Sequence, residues 1–144
     1  MKRQEGFSLI ELLIVLAIIG IISIMAIPGL RRARQYATSG SAIQSLRTIT
    51  TAEHLYERRY KVYGALMDLA PEGSLATNLA SGVKSEYVFT VTLSTGSAGE
   101  SKFTCTATPE VDATSSDHFF VDETAVIRFN TGAPADASSP PIPR

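Results

Sequence analysis

Between Phe7 and Ile27 the chain runs for 21 residues with a single charge, Glu11. A helix of about 20 apolar residues spans the hydrocarbon core of a bilayer, so this stretch predicts a membrane segment at the extreme N-terminus. From roughly Val62 onward the sequence turns to Ser, Thr, Gly and Asp and reads as a water-facing domain. The overall charge, 13 basic against 14 acidic residues in 144, offers no global basic surface for nucleic acid. The lone Cys105 excludes a disulfide within the chain and a cysteine-ligated metal site. His54 and His118 have no metal-ligand spacing, and no nucleophile, base and orienter set is present. Neither an enzyme nor a cofactor is expected.

Three readings of the apolar segment compete: a secretory signal, an ordinary single-pass anchor and something more specialised. A signal has a shorter apolar core and a small-x-small cleavage site, whereas this run is long and Ser23 to Ala26 is a poor site. No cysteine follows the run, so a lipoprotein anchor is excluded. An ordinary anchor leaves Glu11 unexplained, because an unpartnered carboxylate inside an apolar span costs a few kcal/mol.

The stretch Lys2-Arg-Gln-Glu-Gly6-Phe7-Ser-Leu-Ile-Glu11-Leu-Leu-Ile-Val resembles the N-terminus of the type IV pilin superfamily of prepilins and pseudopilins. The likeness covers Met1 to about Leu30: a short basic leader ending in Gly6, Phe7 as first mature residue, Glu11 four residues later, an Ile/Leu/Val-rich helix, and Pro28 near the membrane exit. It implies cleavage between Gly6 and Phe7 by a membrane prepilin peptidase, N-methylation of Phe7, and assembly into a helical filament through Phe7 and Glu11. The chemistry of the residues agrees. A glycine before the scissile bond lets the backbone extend into a protease cleft. Cleavage creates an α-amino group at Phe7, a cation able to neutralise the Glu11 of a neighbouring subunit, and removing either member strands the other charge. The plainer reading of Glu11 is a carboxylate near the membrane surface that reaches water.

Apolar residues recur at three- and four-residue spacings through Leu30, Ala33, Ala37, Ala42, Leu46, Ile49, Tyr56 and Tyr60, so the helix is expected to continue to Tyr60–Gly64 as an amphipathic rod of roughly 80 Å from Phe7. Gly20 and Pro28 weaken it, and the stretch between them is the natural place to bend or melt. From Arg31 to Lys61 seven basic residues face two acidic ones, and after Lys61 four basic face ten acidic, a basic stalk and an acidic head. The stalk charges read either as a solvated face or as contacts between stacked subunits. DNA binding along Arg31 to Arg34 is disfavoured, since filament packing would shield those residues. The same arginines nearly match the positive charges before the span, so topology rests on the resemblance, which places the leader in the cytoplasm.

In the head, Tyr63 to Pro71 looks like a turn of helix stopped by proline. Tyr87 to Leu93 alternates strictly, and Lys102 to Ala107 follows a flexible turn, predicting an antiparallel hairpin. His118 to Val121 and Ala125 to Phe129 predict a second hairpin around Asp122-Glu123-Thr124, with His118 and Cys105 simply strand residues. Asp112, Asp117, Asp122 and Glu123 form an acidic cluster that does not match a calcium loop. Residues from Ala133 on form a Pro-rich stretch with no strand pattern, expected to lie extended or mobile on the surface.

The expected fold class is α+β: a long N-terminal helix, half transmembrane and half amphipathic, packed against a small antiparallel sheet of three or four strands. The segments are a removed leader at 1–6, a transmembrane and filament-core helix at 7–29, its amphipathic continuation at 30–61, a globular head at 62–133 and a tail at 134–144. What the resemblance implies is a structural filament subunit supporting adhesion, motility or surface display. Its implied partners are copies of itself, the prepilin peptidase, inner-membrane pilus or secretion assembly machinery, and membrane lipid before assembly. Its implied places are the inner membrane first, then an extracellular pilus or periplasmic pseudopilus. The alternatives are a minor pilin, a type II secretion pseudopilin, or a single-pass membrane domain that binds with its head and never polymerises. The chain has no Trp, lacks the Asp-Pro-Trp-Gly-like segment and acidic C-terminal loop of the major type II secretion pseudopilin, and with one cysteine cannot form the C-terminal disulfide loop of many major pilins.

Overall fold

A computed structural model describes residues 7–70 and 75–143, so the leader with Gly6, as well as Pro71, lies outside the described residues. The chain forms two compact units, Met1–Tyr36 and Ala37–Arg144. One helix, α1 (Leu9–Tyr60), contributes its first part to the one and its second part to the other. It starts where the Ser8 carbonyl accepts a hydrogen bond from Leu12 N–H at 3.2 Å. It ends at Tyr60, within the expected bounds, because Lys61 adopts a left-handed backbone (φ 62°) and donates its N–H to the Glu57 carbonyl at 2.7 Å, with Arg58 and Arg59 in the last turn, where a helix dipole favours positive charge.

In the second unit Ala42, Leu46, Ile49 and Ala52 of α1 are fully or almost fully buried, a stripe at spacings of four and three that packs on an antiparallel sheet. Two short helices follow, α2 (Leu66–Leu69) and α3 (Thr77–Ala80), and place Leu66, Leu69 and Leu79 in the same core. The sheet has five strands, β1 (Val83–Lys84), β2 (Tyr87–Thr95), β3 (Ser101–Pro109), β4 (Asp117–Asp122) and β5 (Arg128–Thr131), in sequential antiparallel order. The expected three or four strands thus become five, because Val83 and Lys84 pair with Val88 and Tyr87 in a strand too short to show alternation. Tyr87, Phe89, Phe103, Cys105, Ala107, Phe119 and Val121 face α1 from β2, β3 and β4. Tyr87 also ties layers together: its hydroxyl donates to the Asp117 carbonyl at 2.8 Å and meets Ser39 Oγ of α1 at 3.2 Å.

Leu93, grouped with Tyr87, Phe89 and Val91 by alternation, stays 45% exposed because the β2–β3 hairpin runs past the core. Its cross-strand partner Phe103 is buried instead by the Tyr63 ring, with centroids 4.7 Å apart. The last segment differs more from expectation. Phe129 N–H donates to the Pro140 carbonyl and Ile142 N–H to the Ile127 carbonyl, both at 3.0 Å, and Pro141 bridges to Arg128. Ala135 and Ser139 are buried and Ile142 packs against the core. The reason is that β5 presents N–H groups outward, and a proline-rich segment supplies carbonyl acceptors while adding few donors of its own.

Candidate functional site

Among the described residues of the first unit, 7–36, almost every side chain is exposed. Phe7, Leu9, Ile10, Leu12 and the apolar residues onward to Leu30 are exposed, and none of the most apolar 18-residue window is buried within the chain. By length and composition this helix is able to cross a membrane. Glu11 lies in its first turn, near the backbone N–H groups that have no helical acceptor. Phe7, two residues before the helix, is 77% exposed. The polar Ser23 satisfies itself, donating to the Ile19 carbonyl at 2.7 Å. Among the described residues this surface groups no reactive side chains; what it can do is enter an apolar phase or pack on other apolar helices.

Gly20 and Pro28 both lie inside unbroken α-helix. Pro28 has no N–H to give, so the Ile24 carbonyl lacks its helical donor. A Cβ at Gly20 would meet nothing within 4 Å, so packing within the chain does not require glycine there.

Charge counting missed one residue, Glu53. It belongs to the buried stripe of α1, four residues after Ile49, and its side chain is fully enclosed. Oε2 accepts a hydrogen bond from Gly64 N–H at 3.0 Å, while Oε1 has no partner among the described residues. Burial pushes its pKa up to about 7; the Gly64 hydrogen bond opposes the shift and the Asp68 carboxylate adds to it. The signal was in the sequence, since Glu53 continues the spacing Ala42, Leu46, Ile49 toward Tyr56.

The remaining candidates fall into structural places. Cys105 is buried in β3, and burial with the nearby Glu53 carboxylate pushes its thiol up to about 12, which leaves little thiolate for chemistry. His54 packs edge-on against Tyr63 and Phe103. His118 lies in β4, with Nε2 bonded to the Ala113 carbonyl at 2.9 Å. Asp117 accepts from Thr131 Oγ1 at 2.6 Å, Asp122 accepts from the backbone N–H of Thr124 at 3.0 Å, and Glu123 lies 3.8 Å from Lys102 Nζ. Among the described residues no three His, Cys, Asp or Glu side chains are grouped to hold a metal ion.

Residues 1–27 match the family model described as the prokaryotic N-terminal methylation motif. The match takes in the leader, Phe7, Glu11 and the apolar run to Ile27, and it supports a prepilin of the type IV pilin or pseudopilin kind. No solved structure matches the chain.

Proposed function

We propose that the chain is a structural subunit of a type IV pilus-like filament, without catalysis of its own. The observation that carries this reading is the wholly exposed apolar part of α1 with one carboxylate, Glu11, in its first turn, under a methylation motif. In this reading the prepilin peptidase cuts between Gly6 and Phe7, and the new amine is methylated. The helix rests in the inner membrane until assembly machinery draws it into a filament. There the Phe7 amine of one subunit neutralises Glu11 of another in an apolar bundle, where neither charge is tolerable alone. The segment between Gly20 and Pro28 gives α1 a place to yield as subunits pack, and the heads serve adhesion, motility or display.

Electron microscopy of sheared surface filaments with peptide identification tests the proposal. This chain as the bulk component, beginning at methylated Phe7, is the expected result. Recovery only from the membrane fraction would favour an anchored domain that never polymerises, and recovery as a trace component would favour a minor pilin or pseudopilin.

A further inference from the structure

Immediately after the apolar run α1 carries Arg31, Arg32 and Arg34 within four residues. Arg31 and Arg32 are exposed, and no hydrogen bond or ion pair holds either of them among the described residues. Two uncompensated guanidinium groups at this place fit a particular ligand. The helical apolar run from Leu9 to Leu30 rises about 33 Å at about 1.5 Å per residue, close to the roughly 30 Å of a bilayer's hydrocarbon core. The next turn therefore falls in the headgroup layer, about 5–7 Å deep on each side. Side chains on a helix tilt toward its N-terminus, which at this end means back toward the bilayer. The arginine stems can lie along the apolar surface with their planar, always charged forks at phosphate depth.

We propose that Arg31 and Arg32 form a binding site for the phosphates of anionic phospholipids in the leaflet where α1 leaves the membrane. The inference rests on the membrane-spanning reading of α1. It gives the two arginines a task before assembly: they hold the span at a fixed depth, and a subunit drawn into a filament gives up these headgroups. It also accounts for a positive cluster on the side of the span where the leader's charge gives it no help.

The chain contains no tryptophan, so Leu30→Trp places one fluorophore beside the pair at a side chain that is 72% exposed. The full-length protein is reconstituted into phosphatidylcholine vesicles in which an equal fraction of lipid is brominated phosphatidylglycerol or brominated phosphatidylcholine. Blue-shifted emission reports that the span is inserted. Stronger quenching by the phosphatidylglycerol is expected, with a relative affinity of about fivefold for each arginine, on the order of thirtyfold for both. The preference should disappear with Arg31→Gln plus Arg32→Gln and fall at high salt. Equal quenching by the two lipids, or a preference unchanged in the double variant, would overturn the site while leaving the span intact. Emission typical of water would overturn both readings.

Discussion

Gly64 donates its backbone N–H to Glu53 Oε2 at 3.0 Å, so the turn after α1 is pinned to a carboxyl buried three helical turns beyond Ala42. The second carboxyl oxygen is enclosed without a partner. An ionised Glu53 is then half satisfied, and the neutral acid is favoured in the folded state, with a pKa of about 7 against an ordinary 4.5.

The sign of the pH effect follows. A carboxyl whose pKa is raised by folding leaves the folded state binding more protons than the unfolded one between these two values, so stability falls as pH rises from about 4.5 through about 7. The loss is on the order of 3 kcal/mol. Urea unfolding of the detergent-solubilised chain should give a lower midpoint at pH 8.5 than at pH 5, and Glu53→Gln should flatten the difference. Identical slopes for the two proteins would show that another group sets the pH dependence.

Processing is tested at Gly6. Gly6→Val should leave full-length precursor in the membrane, because the added side chain crowds the extended backbone a protease must grip. Mass spectrometry of wild-type protein should find methylated Phe7 at the N-terminus; any other terminus refutes the assigned bond.

For Glu11 the expectation separates insertion from assembly. Glu11→Ala removes the lone charge from the apolar run, so membrane insertion and head folding should be unchanged or improved. Polymerisation should fall, since an incoming Phe7 amine would be buried without a counter-charge, a loss of several kcal/mol. Comparing membrane-fraction with sheared-filament protein decides it: a normal filament yield from correctly processed Glu11→Ala would sink the pairing.

The basic end of the stalk is best probed at Arg58. Arg59 already lies over the Tyr60 ring at 5.6 Å, so replacing it would disturb more than charge. If basic stalks attract acidic heads between subunits, Arg58→Glu should weaken filaments at low ionic strength and much less at high, where screening has already suppressed the attraction. No salt-dependent difference from wild type would leave these residues as a solvated face.

Much of this architecture is legible in the sequence. The run from Phe7 through Tyr60 shows helix by its apolar content and then by its spacing, and the Tyr87–Leu93 and Lys102–Ala107 alternations show a hairpin. The less regular parts are not. Strand β5 begins at Arg128, three residues after the apolar run opens, because Ala125 takes a left-handed turn (φ 60°) and its N–H bonds to the Asp122 carbonyl. Helix α3, four residues long, is too short to display a period. The order in the last residues comes from proline carbonyls meeting β5, a pairing that depends on which edge lies beside them in space. Glu53 was hidden by treating charged residues as solvated, although its position on the stripe contradicted that.

The order of the sheet carries a consequence for how the head comes into being. Every strand pairs only with its neighbours in sequence, so each closure spans one short connection, the kind of topology that folds fast for its size. The long closure is between α1 and β2, as between Ser39 and Tyr87, 48 residues apart. Helix forms on the microsecond scale or faster, so α1 from Ala37 on can stand ready as a template before the sheet condenses on it. A head with this strand order thereby spends little time with its strands unpaired, which limits the exposed edges that lead to aggregation.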